Sequence, residues 1–328
     1  MPHSKSAKTN TCALVYSSAF PNSGVEANIY PLKENRDKPL CALVVEGGAM
    51  RSVFSAGVLD AFLDQSFNPF DFYIGVSAGA FNLVTYLGES PEHSLRMFMQ
   101  YARDKKFIQF TRYLRGGHLL DLDWLIATAL KASNSCVDNA LADGRALYVT
   151  VTEVETGLAR LIRLDRENIE LALKASMALP QIYRSFPCLD GCPLTDGGVA
   201  DGIPLEPALR LGATRIMVIR SRHKNYHKRD GLAHKLIRWR LKNYQSLCDT
   251  LRRRVEIHRK NLALIRNPPA GVEIVEVCPP QAFSIGRFNR RRSDLMRGYY
   301  AGWEQAQLAM VAWSDPDAPI NRPVDSVI

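Results

Sequence analysis

Long apolar runs are missing from this 328-residue sequence, and none reaches the about 18–20 residues that a membrane-crossing helix needs. The N-terminus offers only CALVYSSAF (12–20) behind Lys5 and Lys8, too short and too polar for a secretory signal. Cysteine is sparse. Seven is an odd number, and the spacing is irregular, so a disulfide framework is not expected. Free thiols in a reducing compartment are expected instead, which points to the cytoplasm. Cys188 and Cys192 lie close together, but no histidine or second cysteine pair stands near them, so no metal or redox site is expected there. The G-K-[ST] ending of a phosphate-binding loop is absent, as is G-x-G-x-x-G. No zinc spacing and no RNA-binding motif appears, so nucleic acid is not an expected partner. Nothing in the sequence calls for a cofactor.

What is present describes an ordinary globular protein, 46% hydrophobic and 23% charged. The net charge of +9 is concentrated. Residues 228–260 hold eleven Lys or Arg against three acids, which accounts for nearly all of the excess. Residues 1–36 are rich in Ser, Asn, Lys and Pro without a steady period and read as a flexible or surface-draped arm. Residues 316–328 read as a tail. Residues 37–315 show no repeat and no clean linker, and read as one α/β domain.

Within that domain the elements alternate. LCALVVEGG (40–48) suits a buried parallel strand, and RSVFSAGVLDAFLDQ (51–65) carries one apolar helical stripe. FDFYIGV (70–76) is a second strand, and AGAFNLVTYLG (78–88) a helix closed by glycine. Such β-α-β-α order implies a parallel sheet covered by helices. Further on, helices are expected at 91–104, 122–133, 167–180 and 291–313, a hairpin around Glu155-Thr156-Gly157, strands at 215–220 and 272–280, and turns at 185–198.

Three short stretches could carry chemistry. In EGGAMRS (46–52), two glycines join a strand to a helix, so backbone N–H groups and the helix N-terminus can converge on an oxyanion. The plainer reading is a turn that needs glycine. In GVSAG (75–79), Ser77 stands between Gly75 and Gly79, again after a strand and before a helix. That is the context a strained nucleophile elbow requires, and a plain helix cap would not need the flanking glycines. In LTDGGVADGIPL (194–205), Asp196 and Asp201 each precede glycine. Aspartate before glycine is usually a turn former, so the spacing alone does not choose between the two acids or exclude both.

Taken in order, EGGAMR…AGVLD, GVSAGA and the later Asp-Gly-Gly resemble the patatin-like phospholipases, and more narrowly the bacterial patatin-like proteins of this length. The resemblance is close over residues 40–220 and looser beyond. It implies a three-layer α/β/α fold and a serine hydrolase acting on lipid acyl esters, of the phospholipase A, lysophospholipase or lipid esterase type, without a cofactor or metal. It also implies that Ser77 is the nucleophile, Asp196 its base, and the amides near Gly47, Gly48 and Ala49 the oxyanion hole, with Arg51 supporting the loop. Two positions depart from the family's GGGxRG pattern, where this chain has Ala49 and Ser52. An alanine amide still donates, but alanine adopts positive φ less readily than glycine.

Two rival readings follow from other features. Ser77, Asp196 and His223 stand in the chain order of a Ser-His-Asp hydrolase. Against it, only one strand–helix unit precedes the elbow, and His223 and His227 sit in the polar run RSRHKNYHKRD, which reads as solvent-exposed or anion-facing. His258 falls on an apolar stripe and reads as packed. The second rival is a non-catalytic lipid- or membrane-binding protein that keeps the fold. In residues 228–265, Ile237, Leu241, Tyr244, Cys248, Leu251, Val255, His258, Leu262 and Ile265 step alternately by four and three. This describes amphipathic helices with a solvated basic side, or a surface for peripheral contact with anionic membrane.

Overall fold

The structure is a computed structural model that describes residues 13–16, 38–131, 134–228, 237–238 and 241–315. A mixed sheet forms its centre. Strand β2 (Cys41–Val45) pairs in parallel with β3 (Phe72–Val76) on one side and β8 (Arg215–Ile219) on the other. β4 (Ala146–Glu153) extends the parallel part beyond β3, and β9 (Glu273–Val277) extends it beyond β8. β5 (Ala159–Arg163) returns antiparallel to β4 through a turn with Gly157 at φ +70°. The short hairpin β6 (Cys188–Leu189) and β7 (Cys192–Asp196) adds antiparallel to the end of β4.

The arm expected over residues 1–36 departs from expectation at one place. Ala13–Tyr16 forms strand β1, antiparallel to β5 at the sheet edge. Four residues are too short to show a period, but Tyr16 is buried and its hydroxyl donates to Asp201 Oδ2 at 3.1 Å. The rest of that arm, residues 229–236 of the basic segment and the tail 316–328 lie outside the described residues.

Both faces of the parallel strands are covered, which is why LCALVV reads as a continuous apolar run. Leu43 and Val45 face a core with α1 (Val53–Asp64), α2 (Ala78–Leu87), α7 (Ile169–Met177) and the last helix, α10 (Arg292–Ser314). Ala42 and Val44 face α8 (Leu205–Arg210) and the C-terminal part of α9 (Gln245–Arg266). This gives the α/β/α three-layer arrangement. Four smaller elements complete it: α3 (His93–Met99), α4 (Phe110–Leu114), α5 (Leu122–Lys131) and α6 (Asn134–Ala140).

α1 and α10 cross at glycines. A Cβ on Gly57 would lie 1.9 Å from the Tyr299 carbonyl oxygen, and one on Gly302 would lie 2.1 Å from that of Phe54. Tyr299 also donates to buried Asp60 at 2.8 Å. The C-terminal helix is thus locked against the helix that follows the Gly47–Gly48 loop.

The basic helix α9 buries Leu247, Cys248, Leu251, Ile257, Leu262 and Ile265. Arg252, Arg253 and Arg259 face solvent, but Arg254 turns inward and is buried. An amphipathic helix with a solvated basic side therefore describes α9 except at Arg254.

Candidate active site

The parallel strands β2, β3 and β8 end together, and their connections diverge there. A crevice at the carboxyl ends is the usual binding place of such a sheet. Ser77 follows β3 directly. Its φ of +54° and ψ of −130° are rare for a residue with a side chain and hold it on the sharp strand–helix turn. The turn closes only because its neighbours are glycines. A Cβ on Gly75 would meet Ala80 Cα at 2.3 Å, and one on Gly79 the Val45 carbonyl oxygen at 2.7 Å. The Ser77 amide donates to Ser176 Oγ at 2.8 Å, and Ser176 Oγ–H donates to the Thr150 carbonyl at 2.7 Å. Ser176 thus pins the elbow from below, a role with no local signal in the sequence.

The Ser77 hydroxyl donates to Asp196 Oδ2 at 2.9 Å. Asp196 ends β7 and is held in place by the Gly198 amide, which donates to Oδ1 at 2.8 Å. Burial pushes the Asp196 carboxyl up to about 6, against the pull of these two hydrogen bonds and of Arg287 and Arg254. Asp201 is also buried and also pushed up to about 6, but it faces away. It accepts from Tyr16, from Asn261 Nδ2 at 2.7 Å and from the Ile203 amide at 3.1 Å. The structure therefore brings Asp196, and not Asp201, to Ser77.

Among the described residues, no histidine stands between serine and acid. His258 lines the same cleft, but it packs beside the Tyr226 ring, and burial, with Lys228 next to it, pushes it down to about 4. His223 packs edge-to-face with the same Tyr226 ring. A Ser-His-Asp relay would need the ring where the Ser77–Asp196 bond runs.

The Gly47–Ala49 loop passes directly beside the elbow. A Cβ on Gly47 would sit 2.7 Å from the Val76 carbonyl oxygen, so no larger residue fits. Among the described residues, the amides of Gly47, Gly48 and Ala49 have no protein acceptor. Ala49 takes φ +50°, the left-handed conformation that glycine would adopt freely. Below the loop, burial would raise Glu46, but Arg220 and the Ser221 amide hold it below the usual carboxylate range. Arg220 is itself buried and donates to Glu276 at 2.6 Å. Arg51 points into the cleft. Burial, with Arg287 and Arg222 nearby, pushes it down to about 9, so it remains charged at neutral pH.

Ser77 opens on two different spaces. One is a polar cleft of about 280 Å³ that also holds Asp196, Arg51, Arg222, Lys228, Arg254 and Arg287. The other is a narrow apolar pocket between Met50, Met97, Phe98, Phe107, Leu125 and Ile182, with Phe288 at its rim. Neither space has a sequence signature of its own, because each is assembled from four or more segments.

The patatin-like phospholipase family model matches residues 43–209, just over half of the chain and the whole run from the glycine loop through Asp196. The chain belongs to the patatin-like phospholipase family. Residues 244–315 match a second family model, a domain of unknown function (DUF6363). The chain is 32% identical over 280 residues to the uncharacterized protein YjjU of Escherichia coli (strain K12), covering 84% of this chain and 78% of that one. Among solved structures it resembles VipD from Legionella pneumophila, with a TM-score of 0.39 and 12% identity over 84% of this chain and 67% of that one. Membership makes the chain a relative of lipid acyl hydrolases and accounts for the α/β/α sheet with glycine loop, elbow and Asp-Gly-Gly at its carboxyl end. None of the described helices is long and apolar enough to cross a membrane.

Proposed function

We propose that the protein is a serine acyl hydrolase that cleaves lipid acyl esters by a Ser77–Asp196 dyad. The observation that carries this reading is the 2.9 Å hydrogen bond from the strained Ser77 hydroxyl to a buried carboxylate. Asp196 is ionised at neutral pH, yet burial makes it a better proton acceptor than an ordinary aspartate. As Ser77 Oγ attacks the ester carbonyl, its proton passes to Asp196 Oδ2. The carbonyl oxygen becomes an oxyanion, stabilised by the amides of Gly47, Gly48 and Ala49 and by the positive end of α1. Collapse breaks the ester C–O bond, and Asp196 returns the proton to the departing alkoxide. Water then attacks the acyl-serine by the same route, giving a free fatty acid and restoring Ser77. The acyl chain extends into the apolar pocket beside Ser77. The exposed Phe288 at its rim and the solvent-facing Arg252, Arg253 and Arg259 of α9 support peripheral contact with an anionic membrane.

A fluorophosphonate probe followed by peptide mass spectrometry tests the reading. Such a probe modifies a serine that is activated and has an oxyanion site to accept the adduct. Modification at Ser77, and its loss in Asp196→Asn, are expected. A folded protein that binds liposomes but leaves Ser77 unmodified would instead favour the non-catalytic lipid-binding reading.

A further inference from the structure

The cleft on the polar side of Ser77 carries more positive charge than ester hydrolysis requires. Five cations line it: Arg51, Arg222, Lys228, Arg254 and Arg287. Its two carboxylates are already engaged, Glu46 by Arg220 and the Ser221 amide, and Asp196 by Ser77 and Gly198. No free carboxylate among the described residues is left to meet the ammonium of a choline or ethanolamine headgroup. Arg51 is 5% exposed, and its Nε finds no hydrogen-bond partner. Arg51, one of the residues that line the cleft, thus keeps a buried guanidinium nitrogen without an acceptor. Burial first, and then repulsion from the neighbouring cations, push Lys228 down to about 7 and Arg51 to about 9. An anion placed among them would offset the repulsion.

These cations come from three stretches of the chain. Only Arg51 lies within the stretch matched by the patatin-like family model. Arg222 and Lys228 follow β8, while Arg254 on α9 and Arg287 before α10 belong to the domain of unknown function. That segment also supplies Phe288 at the rim of the apolar pocket.

We propose that the cleft binds a phosphate monoester on the alcohol side of the scissile ester, and that residues 244–315 serve to select it. The substrate is then a fatty acyl ester of a glycerol phosphate: acyl chain in the apolar pocket, ester carbonyl at Ser77, phosphate among the guanidinium groups. Arginine suits this task because its planar fork donates paired hydrogen bonds to phosphate oxygens. A dianionic monoester matches the excess of cations better than a phosphodiester, which carries one charge. The inference deepens the hydrolase reading and rests on it for the position of the ester.

The test compares kcat/KM for three micellar substrates with the same acyl chain: 1-acylglycerol 3-phosphate, 1-acylglycerophosphocholine and 1-acylglycerol. A preference of at least about tenfold for the phosphate monoester over both others is expected. In Arg254→Met that ratio should fall by about tenfold or more. Each ratio is taken within one variant, so a loss of folded protein cancels. Arg287→Met, on a partly exposed loop, provides a second variant with less effect on the core. An unchanged ratio in both variants, or equal turnover of the three substrates by the native chain, overturns the inference and leaves the hydrolase reading standing. Inorganic phosphate is the control for a free-phosphate site. If it stimulates 1-acylglycerol hydrolysis and no headgroup preference exists, the cleft takes an effector and the substrate assignment falls. If no ester is hydrolysed, calorimetric binding of Ser77→Ala to the same micelles decides the matter. Preferential binding of the phosphate monoester keeps the headgroup site and discards the hydrolase reading. Equal binding discards the headgroup site.

Discussion

Asp196 and Asp201 stand five residues apart, each before a glycine, each buried, each with its carboxyl raised to about 6 by burial. They differ in what they touch. Asp196 ends β7 and meets Ser77 in the cleft, with Arg254 and Arg287 facing it. Asp201 is turned to the opposite side, where Tyr16, Asn261 and the Ile203 amide occupy its lone pairs and Glu206 adds a repulsive charge. A raised carboxylate is therefore no mark of catalysis here. One acid has a cleft-lining hydroxyl as partner, and the other ties an edge strand and α9 to the domain.

The largest effect should come from separating the two acids. Asp196→Asn should lower ester turnover by at least about 10³-fold, as should Ser77→Ala, because neither nucleophile nor base works alone. Asp201→Asn should leave fluorophosphonate labelling of Ser77 in place. If Asp201→Asn silences the enzyme and Asp196→Asn does not, the assignment of the base is reversed.

A smaller effect lies in the pH profile. Asp196 must be ionised to accept the proton, so kcat/KM should rise with pH to a plateau, with its midpoint near 6. Below that point it should fall about tenfold per pH unit. The groups facing Asp196 are the Ser77 hydroxyl, the Gly198 amide, Arg287 and Arg254. Tyr16→Phe removes a donor from Asp201 and none from Asp196, and should not move this limb. A limb that shifts in Tyr16→Phe would mean that the two acids are coupled.

Stability should split the pair again. A carboxyl whose pKa is higher folded than unfolded binds more protons in the native state, so its ionisation costs stability above about pH 6, and that cost vanishes as pH falls below its unfolded value. Asp196→Asn removes the ionised group and should raise the unfolding free energy at about pH 8 by about 1–3 kcal/mol while abolishing turnover. Tyr16→Phe should act in the other direction. It removes a donor from a buried carboxylate and should cost about 1–2 kcal/mol in a denaturant titration.

Legibility in the sequence follows the same division. The strands 41–45, 72–76 and 215–219 were readable because parallel strands buried on both faces are unbroken apolar runs. The Ser77 turn was readable because its geometry demands glycine at both flanks. Asp196 was reachable only through the family resemblance, since Asp-Gly-Gly and Asp-Gly look alike until β7 is paired with β4. β7 itself reads as turn, because a five-residue strand containing Pro193 carries little alternation. Strand β1 was hidden inside a polar arm for want of length. The cationic cleft was out of reach altogether: the run RSRHKNYHKRD and the charges of α9 were visible, but which of them turn inward depends on how α9 lies on the sheet. Arg254 is buried and Arg253 exposed: Arg254 shares the helical stripe of Leu247, Leu251, His258 and Asn261, but an arginine on that stripe does not by itself announce a cleft.

The smallest effect concerns Ala49, one of the two positions where the sequence departs from the family's glycine pattern. Its φ of +50° places a side chain in the left-handed region, which costs an alanine about 1 kcal/mol more than a glycine. Ala49→Gly relieves that strain but gives the unfolded chain more freedom, and the two effects oppose each other. The strain term is the larger at such a position, so a net gain of about 0.5 kcal/mol in unfolding free energy is expected. Turnover gives the sharper reading. Behind the loop, Arg220 and the Ser221 amide hold Glu46, and the Ser221 hydroxyl donates to the Gly47 carbonyl at 3.3 Å. If these contacts fully set the loop, Ala49→Gly leaves kcat unchanged. If the alanine distorts the amide away from the oxyanion, glycine restores the donor and kcat rises, by up to the roughly hundredfold that one such donor contributes. A fall in kcat would mean that the Ala49 Cβ is itself part of the wall between the cationic cleft and the apolar pocket, both of which this residue lines.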